Sequence, residues 1–123
     1  MRERAMERIA RVLEAKKLSE LSRLGAIQAA AGREREQSAR LRARSRNLPA
    51  SGAASDMLLT CRWQHAAEQS ARAGEESARA IEDGAAEIRA ALAQTIGRQS
   101  VISRLLARQR RAARQLAERR GEG

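Results

Sequence analysis

One cysteine and one histidine, Cys61 and His65, stand four residues apart. On a helix that spacing puts both on one face, which supplies two of the three or four ligands that a zinc site needs. No further Cys or His exists in the chain to complete it. His65 lies one residue past a regularly spaced uncharged position and is expected on an outer, solvated face. A lone imidazole without an organised carboxylate or nucleophile is not a general-base site. The dipeptide Gly97-Arg98 has no strand before it and no Gly-rich run around it, so it is no phosphate loop. Glu75-Glu76 and Glu82-Asp83 read as a solvated acidic face rather than a catalytic carboxylate pair. The chain is therefore expected to be non-enzymatic, with no catalytic residue, no metal and no cofactor.

What remains is recognition chemistry. Trp63 is the sole aromatic residue. It either closes a helix pair near a loop or anchors a partner. The C-terminal stretch carries Ile102, Leu105 and Leu106 among Arg104, Arg108, Arg111 and Arg114. An apolar stripe among guanidiniums fits an acidic protein surface, since arginine grips carboxylates in bidentate fashion. It also fits a plain solvated flank, a nucleic acid or a lipid. The absence of aromatics to stack on bases and of helix-turn-helix spacing weighs against nucleic acid. The missing aromatic flank weighs against lipid. These seven residues and Trp63 are the candidate partner-binding set.

The elements that hold them follow from composition. Of 123 residues, Leu, Ile and Val together supply 20 and Ala alone supplies 27. Ala is the best helix former and a poor core filler, so a compact layered domain is not expected. A single proline, Pro49, makes disorder equally unsuitable. The formal charge of +10 points to an anionic partner. One Cys excludes an internal disulfide and fits a reducing compartment. No apolar run reaches membrane-span length. The charged first ten residues do not read as a secretory signal. A cytoplasmic protein is expected.

Asn47-Leu48-Pro49-Ala50-Ser51-Gly52 is the one clear break, because a helix carried through Pro49 would lose about 3 kcal/mol. Residues 1–123 are read as a single hairpin: helix 1 over about 2–46, a loop over about 47–55 and helix 2 over about 56–120, capped by Ser55 or Asp56. In helix 2, alternate steps of three and four from Thr60 pass through Ala78, Ile81, Ala85, Ile88, Leu92, Thr95, Ile102, Leu106 and Leu116. None of the 17 positions on this line is charged, although 33% of the chain is. That is a coiled-coil seam of eight heptads. Helix 1 is less regular. Met6, Ile9 and Leu13 set one phase, and Leu24, Ile27, Ala31, Ser38, Leu41 and Ser45 another. The eleven residues from Leu13 to Leu24 are read as a stutter that unwinds the supercoil.

The expected fold is thus all-α: an antiparallel two-helix coiled-coil hairpin with a longer second helix. Charge supports antiparallel pairing. Residues 1–46 carry +7, 47–97 carry −3 and 98–123 carry +6. Folding about Pro49 brings Arg33 and Arg35 towards Glu68, and Lys16 and Lys17 towards Glu87. Helix 1 then covers helix 2 only to about Val101, so Ile102 to Arg120 overhangs. A homodimer is the alternative way to bury that stripe.

The unequal helices, the Pro/Gly/Ser loop, the Arg62-Trp63 pair early in helix 2 and the basic run Leu105-Leu106-Ala107-Arg108-Gln109-Arg110-Arg111 resemble the FliJ family of flagellar export proteins and its YscO-like type III secretion relatives. The resemblance implies a cytoplasmic stalk that binds the hexameric export ATPase and contacts the export-gate protein. It would lie peripheral to the inner membrane through that apparatus and hydrolyse nothing itself. The other reading is a basic coiled coil that binds nucleic acid or another polyanion without regard to sequence.

Overall fold

A computed structural model describes residues 2–48 and 54–122, apart from the side chains of Ser55 and Glu122. The break at Pro49 to Gly52 lies outside the described residues. Two helices account for nearly everything described: α1, Arg2–Arg46, and α2, Ala54–Glu122. Their ends suit the helix dipole. Glu3 and Asp56 stand in the first turns, and Arg44, Arg46, Arg119 and Arg120 in the last. The Asn47 amide closes α1 on the Ala43 carbonyl at 3.1 Å. α2 starts at Ala54, so Ser55 and Asp56 stand inside its first turn and not at its N-cap, and it runs through Gly121, which adopts no positive φ. The fold class read from the sequence holds: two helices, the second longer, and no strand among the described residues.

The chain divides into two compact units, each built from a stretch of both helices. Unit 1 is Met1–Arg23 with Glu87–Gly123, and unit 2 is Leu24–Ala86. Within each, the helices pair antiparallel. In unit 2, Ser45 faces Gln64 and Ser38 faces Ala71. In unit 1, Glu20 faces Thr95, Glu14 faces Gln99, and Glu3 faces Arg110.

The uncharged line of α2 supplies its buried positions. Ala67, Ala71, Ala78 and Ala85 are buried in unit 2, and Thr95 and Leu106 in unit 1. Ile81, Ile88, Leu92 and Ile102 are half-buried. Gln64, Ala113 and Leu116, on the same line, are exposed.

The stutter expected in α1 is absent. Its inward positions are Met6, Ala10, Leu13, Lys17 and Glu20 in unit 1, then Leu24, Ile27, Ala31, Glu34, Ser38, Leu41 and Ser45 in unit 2. Steps of three and four alternate throughout, so Leu13 to Leu24 keeps the heptad phase. The seam passes through three charged residues, Lys17, Glu20 and Glu34, while Leu18, Leu21 and Ile9 face outwards. Apolar type alone misplaces the line there.

The pairing offset also differs from the expected one. Arg35 meets Glu82 and Arg42 meets Glu68 and Glu75, where the fold about Pro49 had set Arg35 towards Glu68. Lys17 pairs with Glu14 of its own helix at 3.1 Å. The physical reason is at the start of α2. α2 is already helix from Ala54, ten residues before Gln64, which donates to the Ser45 carbonyl of α1. The partners of α1 therefore lie further along α2 than a turn centred on Pro49 would put them. As a result α1 covers α2 to Arg110, which meets Glu3 and Glu7 at 3.3 and 3.6 Å, and not merely to Val101.

Candidate interaction surface

The candidate partner-binding residues fall into three places. Leu106 is buried and Ile102 half-buried, so both belong to the seam of unit 1. They are committed to α1, because the true offset brings its first turns over them. Arg104, Leu105 and Arg108 are exposed on the paired part of α2. Arg111 and Arg114 are exposed on the part that continues past the Glu3–Arg110 pair. The free end of α2 therefore begins near Arg111 and carries Arg111, Arg114, Arg119 and Arg120 with exposed Leu116. None of these four arginines makes an ion pair among the described residues. Trp63 sits in unit 2 and is 43% exposed. It lines an open groove with Arg40, Ala43, Arg44, Asn47 and Leu48, at the end of α1 nearest the connection. Beside it in sequence, Met57, Leu58 and Leu59 are also exposed.

Two polar clusters fix the pairing. In unit 2, Arg42 donates to both oxygens of Glu68, at 3.1 Å each, and to Glu75. Arg72 adds a bond to Glu68 at 3.3 Å. The Arg42 guanidinium holds the Glu68 and Glu75 carboxyls below the usual range, and they in turn raise Arg42. The bond to Glu82 raises Arg35 in the same way. One step away, Ser38 Oγ donates to the Ala71 carbonyl at 2.8 Å. A Cβ placed on Gly74 would overlap that Ser38 oxygen and stand 3.5 Å from the Glu34 carbonyl. Here Gly is the residue that permits the close approach of the two helices.

In unit 1 the cluster is buried. Glu20 is 6% exposed and accepts a 2.7 Å bond from Thr95 Oγ1, whose oxygen also lies 3.0 Å from the Ala91 carbonyl. The second Glu20 oxygen, Oε2, is buried with no partner among the described residues. Next to it Gln99 donates to Glu14 at 2.7 Å. Lys17 first and Gln99 second hold the Glu14 carboxyl below its usual value. A half-satisfied carboxylate at a seam position costs stability and gives one register a bond that others lack.

No group of three or more His, Cys, Asp or Glu able to hold a metal ion occurs among the described residues. Cys61 and His65 are both exposed. No described helix is long and apolar enough to cross a membrane. No protein-family model matches the sequence, and neither a curated protein nor a solved structure does.

Sequence reasoning missed Glu20 and the exposed residues at the start of α2. The heptad count signals the first: stepping back from Leu24 by four gives Glu20. The run Met57-Leu58-Leu59, three apolar neighbours pointing three ways round a helix, signals the second.

Proposed function

We propose that the chain is a non-enzymatic cytoplasmic coiled-coil stalk or adaptor of a flagellar or type III export ATPase complex. The observation that carries this reading is the end of α2. It continues as helix through Glu122, past the Arg110–Glu3 ion pair, and presents Arg111, Arg114, Arg119 and Arg120, which make no ion pair among the described residues. A helix free of its own partner, with cations on several sides, is suited to enter an acidic protein surface. The resemblance to FliJ and YscO-like proteins supplies the ATPase and the export gate as the partners to try first.

Titration of the full chain and of a chain ending at Arg110 against the type III export ATPase from the same genome tests the reading. Tight binding that the truncation abolishes is the expected result. Equal binding by both chains, or none by either, overturns it.

The same arginines favour a second reading, a sequence-blind polyanion binder. It is recognised by duplex DNA binding whose logarithm falls with log salt at a slope near −0.9 per phosphate contacted.

A further inference from the structure

We infer that one side of unit 1 is a docking face for an acidic amphipathic helix of a protein partner. This inference is independent of the export machine proposed above and uses a different surface from the free end of α2.

Ile9 and Val12 each stand one residue before an inward position of α1, Ala10 and Leu13. Val101 and Leu105 each stand one residue before an inward position of α2, Ile102 and Leu106. In an antiparallel pair, residues that precede the seam lie on the same side of it on both helices, Ile9 and Leu105 flanking the seam and Val12 and Val101 one row further out. The four therefore form one aliphatic patch, with Val12 66%, Val101 54%, Ile9 47% and Leu105 37% exposed. Large exposed apolar side chains gathered in one place mark interaction sites, whereas scattered ones do not.

The rim decides the partner. Lys16 and Arg98 occupy flanking positions of the same kind on this side, and Arg8, Arg104 and Arg108 lie just outside the patch. All are exposed, and none makes an ion pair among the described residues. No acidic residue occurs at the flanking and outer positions of this side between Ala5 and Ser19 or between Gln94 and Arg108. The opposite side of the same seam is different. There Glu3 and Glu7 meet Arg110, and Glu14 meets Lys17 and Gln99. Unit 1 holds 16 basic and seven acidic residues, net +9, against nine and eight, net +1, in unit 2.

An aliphatic centre within an acid-free cationic rim calls for a partner with a leucine-like stripe between carboxylates. A second copy fits badly, since it would set the rim against its own charge. A nucleic acid would satisfy the rim and leave the aliphatic centre against phosphate and sugar.

The test uses the full chain and a fluorescent synthetic peptide of repeated heptads, with Leu at the a and d positions and Glu at the others. Anisotropy is expected to show saturable binding. Ile9→Ser with Leu105→Ser should weaken it roughly tenfold, as removal of central interface anchors does. Arg98→Glu with Arg108→Glu should weaken it as much, and more at low salt. All four side chains lie outside the seam, and unchanged melting by circular dichroism checks that the variants fold. Leu116→Ser, which removes an exposed leucine outside the patch, should bind as the parent does. The inference is overturned if the peptide does not bind, if either double variant binds it equally well, or if a peptide with Lys in place of Glu binds as tightly. It is equally overturned if sedimentation shows a parent dimer that the Ile9/Leu105 variant dissolves. Capture of the parent but not that variant by phosphatidylserine vesicles, with no peptide bound, would assign the face to lipid instead.

Discussion

Between Leu24 and Ala86 the fully buried seam residues are small, Ala67, Ala71, Ala78 and Ala85 of α2 with Ala31 and Ser38 of α1, and the larger Ile81, Leu24, Ile27 and Leu41 are only half-buried. Between Glu87 and Arg110 the buried residues are Thr95 and Leu106, met by Leu13 and Glu20, with Ile88, Leu92, Gln99 and Ile102 half-buried. The flanks invert this contrast. Unit 2 surrounds its small residues with ion pairs, Arg42 to Glu68 and Glu75 and Arg35 to Glu82. Its large exposed apolar residues are confined to the first turns of α2 and Trp63. Unit 1 surrounds its large seam residues with Ile9, Val12, Leu18, Leu21, Ile96, Val101 and Leu105, all exposed. One heptad phase thus supports two kinds of pairing. In unit 2, close approach and charge matching complete the interaction within the pair. In unit 1, apolar surface is left over on both sides of the seam. Unit 2, with its flanks already charge-matched, has the make-up of a self-contained spacer, and the surplus apolar flanks of unit 1 are the surface on which the docking inference above rests.

Substitutions can break that comparison. The largest effect is expected from Ala71→Leu. Ala71 is fully buried, and added methylenes in a filled seam cost about 3 kcal/mol. The same enlargement at exposed Ala90 should be nearly silent. Thermal melts followed by circular dichroism compare the two, and equal effects would show that the seam of unit 2 is not closely packed. Leu106→Ala should come next, at about 2 kcal/mol, through lost burial and a residual gap in the seam of unit 1.

Glu20→Met should go the other way. It removes a buried oxygen without a partner while Thr95 keeps its bond to Ala91. Relief of an unsatisfied buried acceptor is worth about 1 kcal/mol, so urea midpoints should rise. A fall would show that the Glu20–Thr95 bond outweighs the orphaned oxygen. A glycine pair sharpens the picture of unit 2. Gly84→Ala has open space for its Cβ and should gain about 1 kcal/mol of helix propensity. Gly74→Ala meets Ser38 and should forfeit that gain. If both stabilise alike, Ser38 yields freely.

The smallest effect is expected from acid. Glu68 and Glu75 are held below the free value of 4.5 by Arg42. The unfolded chain therefore binds more protons as the pH falls, so their contribution is present above about pH 4.5 and lost below it, through the lowered folded values. Arg42→Ala should flatten that part of the pH–melting curve. A curve of unchanged slope would separate the acid response from these pairs.

Two helices, the longer second one and the seam of α2 were legible because charge avoids all 17 positions of one line. Of the seam of α1, Met6, Leu13 and the line from Leu24 to Ser45 were legible, but Ile9 and the stretch between Leu13 and Leu24 were not, because Lys17 and Glu20 occupy the inward places there and leucines stand beside them facing water. Hydropathy reports where apolar residues are, and burial of Glu20 depends on a hydroxyl, Thr95, 75 residues away. The pairing offset was illegible for a different reason. A break at Pro49 locates the turn, but the length of α2 that precedes its first contact with α1 is set by packing and not by the proline. The candidate set inherited that error: Ile102 and Leu106 went to the seam, while Leu105, Arg104 and Arg108 stayed accessible.

The alanine seam also shapes how this sequence can drift. At Ala67, Ala71, Ala78 and Ala85, nearly every replacement adds volume, and the sole smaller residue, glycine, weakens the helix. The seam of unit 1 can shed or exchange aliphatic groups by graded steps, and its exposed flanks can change with no cost to pairing. Lineages of this chain should therefore hold the interior of unit 2 nearly constant while the sides of unit 1 diverge with whatever they bind, so that a change of partner leaves the spacer untouched.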